Sequence, residues 1–217
     1  DKEKTINEFT KIFNNKKGEK FDYSKYSIPS LKEGKKITTS VKDLKTDWII
    51  IGWQTPGVLS RKDYAALQVI DSLLGSGMSS RLFKNLRDKD GLAYQLGSQY
   101  SPNALKGAFI VYIGTNPENL NYAQSRMLEE VFRLKKEFVG SKELQEAKDK
   151  LLGHYIIGQE TNLDKATTIG WFEASGRGYK FDDQYAQLIN SVTESDIIEV
   201  ANKYFNNNYV LSIVKPD

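Results

Sequence analysis

The spacing of apolar residues at the start of the chain predicts one short helix. Ile6, Phe9 and Phe13 recur at helical intervals in a polar background, which is typical of an amphipathic helix over residues 1–16. The next segment, residues 14–36, is polar, rich in lysine and interrupted by glycine and proline. This composition predicts a linker, and an ordinary solvated surface loop fits it equally well.

Runs of apolar and β-branched residues predict five strands. The densest run, DWIIIGW at 47–53, is aromatic and β-branched, which is typical of a buried strand. Gly91 permits a turn, after which two apolar segments are expected to pair with each other. We place the strands at residues 37–42 and 47–54, in LAYQLGSQYS (92–101) and KGAFIVYIGT (106–115), and in YVLSIV (209–214).

Helix-start signals precede most of the other periodic segments. Ser60 is a favoured N-cap type, with Asp63 at the third helical position, and Asn116 stands before Pro117 at a first helical position. Thr193 is expected to cap the last helix. The predicted helices cover residues 64–74, 80–90, 117 to about 138, 142–160, 163–176, 181–190 and 194–205.

The order of these elements indicates a fold class. Strands are grouped early and helices late, and a final strand returns at the end of the chain. This order predicts an α+β fold, in which a largely antiparallel sheet packs against a layer of helices.

Composition narrows the functional classes. The 217 residues suit one large or two small domains, and 31 basic against 28 acidic residues give a net charge of +3, too mild to indicate nucleic acid. No apolar run approaches the roughly 18 residues of a membrane span. Cysteine is absent, which excludes disulfides, thiolate catalysis and cysteine metal sites. Because the chain starts at Asp1 without a signal-peptide pattern, we expect a piece of a longer protein, and its compartment stays open.

His154, the sole histidine, is a weak candidate for chemistry. It lies among apolar residues of a predicted helix, so a packed or hydrogen-bonded histidine is the default interpretation. A zinc site with two histidines cannot form in this chain alone. A serine triad through His154 is formally possible, but no GxSxG motif supports it.

The glycines of LLGSGMSS (73–80) open a helix, as in a loop that binds phosphate. Neither GxxxxGK[ST] nor GxGxxG occurs in this stretch, so a tight turn between helices is the better interpretation. A glycine-rich helix stop likewise accounts for SGRGY (175–179).

Arg87 and Tyr94 stand seven residues apart in KNLRDKDGLAYQ (84–95). Arg87 is expected in the last turn of a helix, where a basic residue suits the helix dipole. Tyr94 is an ordinary strand residue. Taken alone, both residues therefore favour a structural interpretation.

The sequence around this pair resembles a known family. LLGSGMSSRLFKNLRDKDGLAYQLGSQYSP (73–102) is similar to the signature of the C-terminal, non-catalytic domain of the pitrilysin (insulinase, mitochondrial-processing-peptidase) zinc peptidases, and the resemblance covers roughly residues 36–217. The family form, a small-residue turn, SSRL and then LRxKxGLxY, is matched at Ser79, Ser80, Arg81, Leu82, Leu86, Arg87, Lys89, Gly91, Leu92 and Tyr94.

Catalytic domains of this family carry HxxEH on the helix that corresponds here to residues 64–75, and this helix has no histidine. The resemblance therefore implies that this chain is the half without a metal site and that it contains no catalytic residue on its own. It also implies that a partner half binds the zinc. It further implies that residues 1–35 are the tail of a preceding domain and a connection, and that residues 36–217 form the non-catalytic domain.

In such enzymes two similar halves face each other across a chamber. The resemblance implies that Arg87 and Tyr94 reach toward the zinc site of an HxxEH-bearing half, on the same polypeptide or on a separate subunit, and act on a peptide or unfolded polypeptide. Some members of the family keep the fold as structural assembly subunits, and this alternative stays open.

Overall fold

The computed structural model describes residues 1–13 and 22–217, in which seven α-helices and five strands occur. The helices are α1 (Lys2–Phe13), α2 (Arg61–Gly75), α3 (Leu120–Arg133), α4 (Ser141–Ile157), α5 (Asn162–Ala174), α6 (Phe181–Asn190) and α7 (Glu194–Tyr204). The strands are β1 (Lys35–Val41), β2 (Asp47–Pro56), β3 (Gln95–Pro102), β4 (Lys106–Thr115) and β5 (Val210–Pro216). Two 3₁₀ turns (Tyr23–Lys25 and Pro117–Asn119) and one π-helical segment (Phe83–Lys89) complete the elements.

The strands form one sheet in the order β1-β5-β2-β4-β3. The pairs β5–β2, β2–β4 and β4–β3 are antiparallel, and β1–β5 is parallel. The predicted fold class, a largely antiparallel sheet packed against helices, is therefore confirmed.

Alternation along the central strands separates two faces of the sheet. Ile49, Ile51 and Trp53 of β2 are at most 1% exposed, whereas Ile50 between them is 38% exposed. In β4, Phe109 continues the buried face, and its ring lies 5.1 Å from that of Phe205. This period of two directs one face of the sheet toward the helices and the core.

Helix α2 lies at the centre of the helical layer. Nine of its residues are buried, and the hydroxyl of Ser72 donates to the carbonyl oxygen of Ala147 in α4 at 2.8 Å. Because α2 also packs against β3, α6 and α7, it connects the sheet to the later helices. The two elements on either side of the Arg87 stretch, α2 and β3, therefore pack against the main hydrophobic core.

The cap predictions had mixed outcomes. Thr193 caps α7 in a capping box with Asp196, as predicted. Ser60 stands at the N-cap of α2, but its side chain makes no capping hydrogen bond, so that part of the prediction was wrong. The carboxylate of Asp63 is instead bound by Lys203 at 2.7 Å and Tyr204 at 2.5 Å, partners that are distant in sequence.

Other element bounds differ from the predictions. Pro117 starts a 3₁₀ turn before α3, which ends at Arg133 and not near residue 138. The predicted helix over 80–90 is π-helical at Phe83–Lys89, and the strand predicted from residue 92 begins at Gln95.

The residues before β1 lie largely on the surface. Helix α1 has the predicted apolar positions, and Ile6, Phe9 and Phe13 are 51–59% exposed. Residues 14–21 of the predicted linker lie outside the described part of the chain. The rest is fastened to the sheet, because Leu31 donates its amide to the Gln54 side chain at 3.1 Å. No helix among the described residues is long and apolar enough to cross a membrane.

Candidate functional site

A short irregular helix and a glycine turn connect α2 to β3. The amide of Asp90 reaches back five residues to the carbonyl of Asn85 at 3.0 Å, which is π-helical geometry. Gly91 then adopts a left-handed φ of 65°, and the Leu92 amide returns to the carbonyl of Leu86 at 2.8 Å. Because only glycine takes this conformation without strain, Gly91 fixes how the chain turns between Arg87 and Tyr94.

The structure brings Arg87 and Tyr94 together. The Arg87 guanidinium lies over the Phe83 ring, 4.7 Å from its centroid, and donates to the Tyr94 carbonyl oxygen at 3.1 Å. The side chain of Arg87 is exposed, and Tyr94 is 87% exposed. One contact thus orients the arginine while most of its N–H groups and the tyrosine hydroxyl face outward from this chain.

Two ion pairs hold the ends of the segment from Arg81 to Asp90, which carries Arg87. At its start, Arg81 donates to both carboxylate oxygens of Glu143 in α4, at 2.8 and 2.7 Å. At its end, the Nε of Arg126 in α3 donates to Asp90 at 2.8 Å. The hydrogen bond from Arg81 lowers the pKa of Glu143, so this carboxylate is held in its charged form.

Sequence reasoning missed these partners. The pairs are separated by 62 and 36 residues, so no helical or strand periodicity joins them. Arg81 is part of the matched motif, whereas neither Glu143 nor Arg126 belongs to a motif, and charged residues of these types are common on helix surfaces. Only the tertiary packing of α3 and α4 against this segment identifies them.

The turn GSGMSS is tied to α4 as well. The Lys150 ammonium donates to the carbonyl oxygen of Ser76 and to the hydroxyl of Ser79 at 3.2 Å. The amide and the hydroxyl of Ser80 both donate to the carbonyl of Gly77. The turn interpretation is therefore confirmed, and these groups stabilise the turn itself.

Helix α2 packs against the backbone of the edge strand β3. Asp71 accepts the Ser98 hydroxyl at 2.5 Å and the Tyr100 amide at 3.2 Å, and burial raises the pKa of this carboxyl. A β-carbon at Gly75 would stand 2.0 Å from the Ser98 nitrogen, so the helix and the strand meet backbone to backbone here. This contact fixes β3 just beyond Tyr94.

The residues that the structure describes offer no group of ligands for zinc. Among the described residues, no three histidine, aspartate or glutamate side chains lie close enough together to hold a metal ion. Helix α2, which the resemblance aligns with the metal-binding helix of a catalytic half, has no histidine, and its Asp71 is bound by Ser98 and Tyr100 of β3.

His154 is exposed, so the expectation of a packed histidine was wrong. It lines an open groove of about 540 Å³ between α2, α4 and α5, together with aromatic residues such as Tyr155 and Trp171. Neither serine nor a carboxylate is among the groove's lining residues, so a serine triad finds no support at His154.

The SGRGY segment ends α5 as predicted, with Gly176 and Gly178 at φ of 86° and 87°. Between them, the Arg177 guanidinium lies 4.0 Å from the Phe181 ring centroid and 4.9 Å from that of Tyr64. Burial lowers the pKa of Arg177 to about 10. No sequence motif marks this arginine, which stabilises aromatic packing beside α2.

Comparisons with known proteins identify similar sequences. A family model described as the peptidase M16 inactive domain matches residues 1–151. A zinc protease of Rickettsia felis is 30% identical over 176 residues, which cover 81% of this chain and 42% of the relative. A zinc protease of Bacillus subtilis is 29% identical over 150 residues, 69% of this chain and 37% of that relative. The chain thus spans about two fifths of the length of these relatives.

Solved structures share the fold. A protease from Helicobacter pylori superposes with a TM-score of 0.85 at 24% identity, over all of this chain and 53% of that chain. A peptidase M16 inactive domain from Pseudomonas fluorescens gives 0.76 at 19% identity, over 85% of this chain and 44% of that chain. At these identities the likeness concerns the architecture alone.

Proposed function

Because the chain belongs to the peptidase M16 inactive-domain family of zinc proteases, we propose that it is the substrate-binding half of a zinc-dependent peptidase. In this proposal Arg87 and Tyr94 stabilise the transition state at a zinc held by another half. The observation that carries the proposal is their joint exposure: Arg87 lies on a segment whose two ends, Arg81 and Asp90, are ion-paired to α4 and α3, and Tyr94 follows shortly after that segment. A peptide or an unfolded polypeptide is the substrate.

The chemistry of the two side chains fits this role. When water attacks a peptide carbonyl, the carbonyl oxygen gains negative charge, and fixed donors aimed at that oxygen lower the barrier. Arginine supplies a permanent positive charge and several N–H groups, and tyrosine supplies an O–H on a stiff ring. Arg87 uses one nitrogen on the Tyr94 carbonyl, so its other N–H groups are available to a substrate.

The zinc belongs to the partner half in this proposal, on an HxxEH helix of the same polypeptide or of a separate subunit. When bound, zinc would supply an activated water and polarise the scissile carbonyl. Residues 1–35, with the exposed apolar face of α1, form the end of the preceding half and the connection into residues 36–217. The relatives, more than twice the aligned length, leave room for such a half.

The test replaces each donor in the assembled two-half enzyme. Arg87→Ala and Tyr94→Phe are expected to lower kcat by about 10- to 1000-fold, the range for losing one preorganised oxyanion donor. KM should change much less, because the lost contacts act in the transition state. Cleavage of a fluorogenic peptide measures both constants.

Matched controls separate this role from general damage. Arg61→Ala and Tyr179→Phe alter an exposed arginine and an exposed tyrosine away from the segment, and kcat should stay unchanged. The chain alone should neither bind zinc in a 1:1 ratio nor cleave the peptide. If both site variants keep the wild-type kcat, the transition-state role is wrong and a structural assembly role replaces it.

A further inference from the structure

The segment that presents Arg87 is a π-helical stretch with little support of its own. Such geometry is rare and occurs mostly as a single turn, so we take its shape to depend on what surrounds it. Within it, Leu86 is fully buried and pins the middle of the segment to the core. The orientation of the exposed side depends on how the two ends are fixed.

At the first end, Arg81 and Glu143 form a bidentate pair, the strongest type of side-chain ion pair. The Arg81 side chain is only 12% exposed, and its remaining terminal nitrogen is buried without a hydrogen-bond partner. Glu143 is thus the group that neutralises a largely buried cation and sets where the segment begins.

At the second end, Asp90 is the residue directly before the left-handed Gly91. Its carboxylate and the Arg126 side chain are 12% and 15% exposed, and they meet at 2.8 Å. The same arginine also contacts Glu129 and lies 3.7 Å from the buried Glu130. Arg126 is therefore held on α3 by several carboxylates, which makes it a fixed anchor for Asp90.

From this geometry we propose that Glu143 and Arg126 are positioning residues, which fix the two ends of the segment so that Arg87 and Tyr94 point at the reacting carbonyl. The inference rests on the proposed function of that pair. Neither residue bonds to Arg87 or Tyr94 in the structure, so their effect passes through Arg81 and Asp90.

The expected loss of kcat follows from the displacement of the donors and not from a loss of folding stability. A donor displaced by about 1 Å from its productive position can lower the rate by about 100-fold. Ion pairs of this kind contribute little net stability in most proteins. Removing only one partner, however, leaves the other charge buried and unpaired, so each single variant should also lower the melting temperature, and the loss of kcat has to be measured on fully folded enzyme.

The experiment uses the assembled enzyme with Glu143→Gln and, independently, Arg126→Gln. Each is expected to lower kcat by about 10-fold or more with KM nearly unchanged, because the substrate still binds while its donors are misplaced. Glu199→Gln makes the same chemical change at a carboxylate that pairs with Lys62 at 3.1 Å on another part of the surface, and should leave kcat unchanged. Each variant is assayed well below its own melting midpoint.

A double-mutant cycle with Arg87→Ala distinguishes positioning from general damage. If Glu143 acts through Arg87, Glu143→Gln should lower kcat much less in the Arg87→Ala background than in the wild type. An equal loss in both backgrounds, or no loss in the wild type for either Gln variant, overturns the inference. If Arg87→Ala itself keeps the wild-type kcat, the proposed function of the pair fails instead.

Discussion

Gly91 is the position at which a single added methyl group best tests the described geometry. Its φ of 65° lies in the left-handed region, and nothing stands within 4 Å of the place where a β-carbon would be built. Gly91→Ala therefore adds no clash, and its effect comes from backbone conformation alone. The residue lies between Arg87 and Tyr94, so the same change also disturbs how the pair is presented.

The size of the effect combines two opposing contributions. A left-handed backbone costs a residue with a β-carbon about 1–2 kcal/mol. Replacing glycine also reduces the freedom of the unfolded chain, which offsets about 0.4–1 kcal/mol. The net expectation is a loss of about 1 kcal/mol in the free energy of unfolding, or a melting temperature lower by about 2–4 °C for a chain of this length.

Thermal unfolding followed by circular dichroism measures this loss, and Gly153→Ala is the matched control. Gly153 lies inside α4 with open space around its β-carbon position, so alanine should stabilise the helix there by about 0.5–1 kcal/mol. The same substitution should thus have opposite signs at the two glycines. If Gly91→Ala raises the melting temperature as Gly153→Ala does, the left-handed turn is wrong.

Two further stability predictions follow from caps and burial. Thr193→Ala should lower the free energy of unfolding by about 1 kcal/mol, because it removes the capping box of α7. Ser60→Ala should change that free energy by much less, since the Ser60 side chain makes no capping bond. Urea titration of both variants checks the contrast. Burial raises the pKa of Asp71 above its ordinary value of 3.8, so the folded state holds this proton longer than the unfolded state does. As pH rises from about 3.8 through the raised pKa of folded Asp71, the wild type should lose stability relative to Asp71→Asn. An unchanging difference between the two melting curves from acid to neutral pH would contradict the burial argument.

Much of the fold could be predicted because its signals are local. The continuous apolar run from Trp48 to Trp53 forms β2, and the pair β3–β4 follows directly from Gly91 and the two alternating segments. Thr193 and Asp196 stand three residues apart, so their capping box is visible in the sequence itself. In each case the residues that determine the structure are near neighbours along the chain.

The predictions failed where a distant partner decides the local structure. Asp63 suits a helix start by type, but it lies near Lys203 and Tyr204, whose stronger donors take its carboxylate. The stretch 80–90 has helical periodicity, yet the Leu92 amide bonds to the Leu86 carbonyl and the segment closes as a π-helix. Local propensity cannot report such choices, since the competing groups come from other elements.

The candidate site likewise contains residues that the local sequence identifies and residues that only the packed structure identifies. Arg87 and Tyr94 could be named from a motif within one short stretch, whereas Glu143 and Arg126 required the packed helices. Largely buried ion pairs are weak contributors to net stability, because desolvation opposes their attraction. Two such pairs at the ends of one segment are therefore better explained by the placement of what lies between them. Arg87 lies between them and is exposed, so the value of this arrangement is expected to appear in turnover as well as in unfolding.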